Sequence, residues 1–139
     1  MEELRNLLQQ KKENLEEISS VTSKMKDALL LENVEEFILL LDKRQGLMDI
    51  SADIDEKISK KGLNALGDEK ISIMKKEIYE KVNEIIKTDE EVLNLAKIFL
   101  NNIEKKIEDL NLARNVSRKY NSLYDKVNYD EGIFIDKKE

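Results

Sequence analysis

Apolar residues return along this chain at steps of three, four and seven, the spacing that gathers side chains on one side of an α-helix. In the first stretch the stripe is Leu4, Leu8, Leu15, Ile18, Met25 and Leu29. It continues through Phe37, Leu41, Met48, Ile54 and Ile58, then resumes at Ile71, Met74, Ile78, Val82, Ile85, Val92, Phe99, Ile103, Ile107 and Leu110. The spacing predicts a first helix from about Glu2 to Leu31, with Lys11 and Thr22 as polar interruptions of its stripe. Asn33, followed three residues later by Glu36, has the form of a capping box. The link around Glu32-Asn33 is so short that a second helix, Val34 to Lys60, must turn back antiparallel on the first. Gly46 sits inside that helix at a cost of about 1 kcal/mol relative to alanine. Lys60 and Lys61 complement the dipole at its end, and Gly62 supplies a left-handed stop.

Residues 62–67, the run GLNALG, form the second turn, and Asp68 caps a third helix. Thr88 with Glu91 repeats the capping-box pattern, which would break that helix near Lys87 and make four in all. The apolar phase nevertheless continues across it, since Ile85, Val92 and Phe99 keep a seven-residue step. One long helix from Glu69 to about Asp125 is therefore expected, with Thr88-Asp89 as a polar layer inside it. At 1.5 Å per residue it would be roughly 85 Å long, against about 40 to 45 Å for the first two. After Asp125 the helical period fades, and Gly132 followed by Ile133-Phe134-Ile135 favours an extended segment. The expected fold is all-α: an elongated antiparallel bundle or coiled coil of three helices over residues 1–125, with an extended tail over 126–139.

The difference in length leaves apolar residues to account for. Phe99, Leu100, Ile103, Ile107, Leu110, Leu112, Val116, Tyr120, Leu123 and Tyr124 lie beyond what two shorter helices can cover. Burying a large apolar side chain stabilises by about 1.5–3 kcal/mol, so this stripe is expected to find cover. It could fold back, pair with a second copy as a homodimer, or receive a helix from another protein, and the sequence leaves these three open. Tyr120 and Tyr124, four apart on one face, suit either core packing or the centre of an interface.

Composition narrows the chemistry. Charged residues make up 39% of the chain and aromatics 5%, and proline is absent, a balance that fits long helices with solvated faces. The net charge of −6 is spread without a basic block, whereas nucleic-acid binding needs clustered Lys and Arg. The chain has no cysteine and no histidine. Disulfides, thiolate metal sites, His-containing triads and the Glu-x-x-His pairs of di-iron bundles are thereby excluded. Asp53, Asp55 and Glu56 lack the glycine and distal glutamate of a calcium loop, and no phosphate-binding loop is present. Lys43-Arg44 reads as a surface charge pair. The expectation is a protein that is not an enzyme and needs no cofactor or metal. The opening Met1-Glu-Glu-Leu-Arg is acidic rather than signal-like, and the longest apolar run, Phe37 to Leu41, falls far short of the ~20 residues of a membrane span. A soluble cytoplasmic protein without membrane insertion is expected.

Three segments together resemble a known family. They are Leu39-Leu-Leu-Asp-Lys-Arg-Gln-Gly-Leu-Met-Asp-Ile50, the long third helix, and the Gly132-Ile-Phe-Ile-Asp-Lys-Lys138 tail. In these the chain is similar to bacterial flagellar export chaperones of the FliT/FlgN type, and the likeness covers nearly its whole length. The resemblance implies a small cytoplasmic helical protein of flagellar type III secretion. Such a protein holds the helix-forming terminal segment of a late subunit, a hook-associated junction protein or the filament cap protein, and presents it to the export gate. It also implies gate docking through a tyrosine near the end of the long helix, for which Tyr120 and Tyr124 both qualify. The alternative from a different class is a homo-oligomeric coiled-coil scaffold or tether with no client.

Overall fold

The structure, a computed structural model, describes residues 2–61 and 68–132, with side chains through Ser122. The described residues form three α-helices, α1 (Glu2–Leu30), α2 (Val34–Lys61) and α3 (Glu69–Gly132), and the chain is all-α as its periodicity predicts. No described helix is long and apolar enough to cross a membrane. The second turn with its Gly62 stop and the segment Ile133-Phe134-Ile135 lie outside the described residues. By contact the chain divides into two compact units, Met1–Phe99 and Leu100–Glu139.

The turn between α1 and α2 is closed by hydrogen bonds that the sequence announces only in part. Asn33 Oδ1 accepts from the Glu36 amide at 3.2 Å, which is the expected N-cap. The reciprocal half of the box is replaced, because the Asn33 amide donates to the Ala28 carbonyl at 2.8 Å. The Glu32 amide donates to the Leu29 carbonyl at 3.1 Å, and Glu32 has φ of 56°. This is a Schellman ending, with a glutamate in the left-handed position usually held by glycine. At the start of α3, Asp68 Oδ1 accepts from the amides of Lys70 (3.0 Å) and Ile71 (3.2 Å).

Unit Met1–Phe99 is built on α1. Leu4, Leu8, Leu15, Ile18, Met25 and Leu29 are all buried, as their spacing predicts. A second row, Leu7, Asn14, Val21 and Ala28, repeats every seven residues beside them and is buried too. Two adjacent rows give α1 a stripe wide enough to serve two neighbouring helices. One core cluster joins Leu15, Ile18, Val21, Met25 and Leu29 to Leu40 and Leu47 of α2 and to Ile85 and Val92 of α3. The other joins Leu4 and Leu8 to Ile71. Of the polar members of the stripe, Thr22 donates to the Ile18 carbonyl at 2.7 Å and Asn14 Nδ2 to the Leu47 carbonyl at 2.9 Å, while Asn14 Oδ1 is buried without a partner among the described residues.

Polar contacts set the directions. Glu3 with Lys61, Lys11 with Asp55 (3.0 Å) and Asn14 with Leu47 step oppositely along the two helices, so α1 and α2 are antiparallel. Arg5 with Asp68 (2.7 Å), Lys12 with Glu77 (2.6 Å) and Lys26 with Glu91 step together, so α3 within this unit runs parallel to α1. Arg44 meets Asp89 through two nitrogens, at 2.5 and 2.7 Å, and ties α2 to α3. The surface-pair reading of Lys43-Arg44 thus resolves, for Arg44, into a bridge between helices.

Two expectations are corrected. On α2 the buried row is Leu40, Leu47, Ser51 and Ile54, whereas Leu41 and Met48 are exposed. Five consecutive apolar residues, 37–41, leave the face undecided, and the chosen face runs through Arg44 and Ser51. Both are tolerated because Asp89 and Lys11 meet them. On α3 the helix is unbroken at Thr88, as expected, and the correction lies at its far end. The Thr88 hydroxyl donates to the Glu84 carbonyl at 3.2 Å inside that helix. The helix passes Asp125 and runs to Gly132, since no glycine or proline intervenes.

Candidate functional site

The seven-residue series Ile71, Ile78, Ile85, Val92, Phe99 marks the covered face of α3. Its next member is Lys106, so the rule that buries α3 stops at the end of the first unit. Phe99 and Ile103 are half-buried. Beyond them Leu100, Ile107, Leu110, Leu112, Val116 and Tyr120 are all exposed, from 51% at Ile107 to 71% at Tyr120. Tyr120 therefore packs into no core among the described residues. The side chains of Leu123 and Tyr124 lie outside those described.

These residues do not form one stripe. Leu100, Ile103, Ile107 and Leu110 follow one another at three and four and share a face. Leu112, Val116 and Tyr120 follow at four, but the series restarts two residues after Leu110. Two residues turn a helix by roughly 200°, and the two sets end up about a third to a half turn apart. A single straight helix laid along α3 covers one set and leaves the other, which corrects the expectation of a continuous margin.

The first unit carries an apolar surface that sequence reasoning missed. A groove of about 350 Å³ is floored by Leu15, Ile18 and Ile85 and walled by Met48, Ala52 and Ile86. Its polar points are Lys11 with Ser51 and Asp55, and the Arg44–Asp89 bridge. The available signal was the second apolar row on α2, containing Leu41 and Met48, which became legible only once the buried row was known.

Charged groups at the ends and flanks of the bundle are perturbed by their partners on other helices. Arg5, helped by the Ile71 amide, holds the Asp68 carboxyl below the usual carboxylate range. Lys61 does the same for Glu3, and Glu77 raises the Lys12 ammonium. These are structural pairings between helices. Asp53 and Glu56 pair with Lys57 and Lys60 one turn on, and Asp55 with Lys11, so this acidic run is occupied by cations of its own chain.

What the arrangement offers is contact: exposed apolar side chains on two faces of α3 and an open groove on the bundle. Compared with known proteins, the chain matches no family model, no curated protein and no solved structure.

Proposed function

We propose that this protein is a binding chaperone for an amphipathic helix, and that its client is the terminal segment of a late flagellar subunit awaiting export. The observation that carries the binding half is the row Leu100, Ile107 and Leu110, exposed on α3 with half-buried Ile103 among them. A client helix with its own apolar stripe hides these residues and its own in one step, with no chemistry required. The flagellar half rests on the resemblance of the 39–50 segment, the long third helix and the 132–138 tail. Junction and cap proteins end in helix-forming segments that would associate early, and stoichiometric sequestration until delivery at the export gate prevents this.

The test is titration of the protein with the terminal segment of a hook-associated junction protein and of the filament cap protein. One of the two should bind one-to-one and raise the melting temperature, by the equivalent of about 2.7 kcal/mol when ligand is at 100 times its Kd. The triple variant Ile103→Ser, Ile107→Ser, Leu110→Ser should lose that binding while its own helical melt is unchanged. Absence of binding to either segment, with melting that depends on protein concentration alone, would favour a self-assembling scaffold instead.

A further inference from the structure

The face of α3 that carries the client row changes character along its length. Leu100, Ile103, Ile107 and Leu110 follow one another at three and four, and the next step of four is Arg114. Arg114 stands seven residues after Ile107, and Arg118 stands eighteen, about five whole turns, after Leu100, so both cations lie on the side of the helix that carries the row. Ser117 and Asn121 complete that side, and neither is charged. Along the apolar stretch the row is edged by Glu104 on one flank and Lys106 on the other, which together set no sign. The surface is therefore apolar first and cationic afterwards.

The two arginines go unanswered among the described residues. Both are exposed. The places three and four residues away, from which a helix supplies its own ion pairs, hold Leu110, Asn111, Asn115, Ser117, Asn121 and Ser122 and no acid. Four apart, Arg114 and Arg118 instead repel each other, which weakens an isolated helix. Elsewhere the chain sets acid against cation at that spacing, as in Asp53–Lys57 and Glu56–Lys60. Where another helix does cover this register of α3, the charge is met from across. Asp89, two heptads before Ile103, receives both guanidinium nitrogens of Arg44 on α2. By the same rule a helix covering the far stretch brings carboxylates to Arg114 and Arg118, whose planar guanidinium groups suit two-point contact with a carboxylate.

We propose that the helix received on the Leu100–Leu110 row is acidic just beyond its apolar stripe, with carboxylates continuing the same face so as to meet Arg114 and Arg118. This rests on the client-binding reading and adds its selectivity. The apolar row gives affinity for amphipathic helices in general. The arginines reject a helix whose stripe runs on into lysine or arginine, and they fix how far along α3 the client slides. Of the two flagellar segments, the one whose stripe continues in acids is the client to expect.

The experiment uses the full chain, with synthetic amphipathic helices as probes. Each probe repeats four leucines at steps of three and four and continues that face with a pair of glutamates four apart. The glutamates follow the leucines in one probe and precede them in the other, for the two directions in which a helix can lie. Counterparts carry lysines in their place. In fluorescence anisotropy the tighter glutamate probe should bind at least about tenfold better than its lysine counterpart at low salt, with the gap narrowing as salt is added. That preference runs against the net charge of −6, so general attraction cannot produce it. Arg114→Glu with Arg118→Glu should invert it, and Arg114→Gln with Arg118→Gln should abolish it without inversion. Circular dichroism melts confirm that each variant is folded. Equal binding of glutamate and lysine probes, or a preference that survives both replacements, overturns the proposal while the client reading stands. Binding of no probe, or binding untouched by the triple variant Ile103→Ser, Ile107→Ser, Leu110→Ser, overturns the reading and the proposal with it.

Discussion

The two ends of α3 are made of the same kinds of residue and meet opposite fates. Before Phe99, the row Ile71, Ile85 and Val92 is buried, with Ile78 half-buried against the same clusters. After it, Leu100, Ile107, Leu110 and Val116 recur as often and are exposed. The charged residues divide the same way. Glu77, Asp89 and Glu91 each bridge to another helix, whereas Glu104, Glu108 and Arg114 bridge to none among the described residues. Spacing tells which side of a helix is apolar; burial depends on whether a capped turn and matching charges bring a neighbour to that side.

The sharpest way to break this contrast is to delete equal amounts of side chain on both sides of it. Ile18 is 1% exposed at the centre of the larger cluster, and Ile18→Ala should cost about 3 kcal/mol through lost burial and the cavity left behind. Ile107 is 51% exposed, and Ile107→Ala should change stability by no more than about 0.5 kcal/mol. Urea denaturation at fixed dilute protein concentration measures both. Equal costs would show that Ile107 is covered in solution. A smaller effect is expected at the bridge between α2 and α3. Arg44→Ala breaks a two-point, partly buried pair with Asp89 and should cost about 1 kcal/mol. Lys105→Ala, on the uncovered stretch, should cost nothing measurable.

How much of this was legible beforehand varies by helix for physical reasons. The α1 core could be read residue by residue, because its apolar positions are separated by polar ones and admit only one face. On α2, five apolar residues in succession admit several faces, and the choice turned on Arg44 and Ser51, whose partners are distant in sequence. The first turn was placed correctly at Glu32-Asn33, but the left-handed glutamate carries no local signature. The Thr88-Glu91 pattern was present and unused, since a continuing core row outweighs one cap. In the candidate site, the exposed residues were named but their division into two faces was overlooked. Spacing from Leu110 to Leu112 contains it; only the habit of following one stripe conceals it. The groove beside Met48 depended on the α2 face and could not be read earlier.

Backbone geometry offers a gain of about the same size as the Arg44 loss. Gly46 has open space where a Cβ would stand, within an exposed stretch of helix. Gly46→Ala should therefore stabilise by about 1 kcal/mol, raising the urea midpoint without changing its slope. Glu32→Gly should also stabilise, by about 1 kcal/mol, because it relieves a left-handed non-glycine residue. Both changes act on the capped turn and α2, so they sharpen the contrast by raising the first unit alone.

The smallest effect, and the most specific to the junction of α1 with α3, is expected in acid. Arg5 holds the Asp68 carboxyl below its ordinary value, so the folded state binds that proton less readily than the unfolded chain. A lowered carboxyl contributes stability that is fully present above the unfolded pKa of about 3.9 and is lost as pH falls through the folded value. Glu3, lowered by Lys61, acts in the same window. Lys12, raised by Glu77, contributes below its unfolded pKa and loses that contribution only as pH rises through the folded one. Asp68→Asn keeps a side chain able to cap α3 but removes the charge that Arg5 meets. Thermal melts from pH 7 to pH 2 should show the variant less stable than the original at neutral pH, with the gap closing in acid. Arg5→Ala should flatten the acid limb in the same way, and combining the two should add little, because they remove one interaction. Additive losses would mean that Asp68 is held by something other than Arg5, and that the start of α3 is fastened to α1 by its apolar contacts alone.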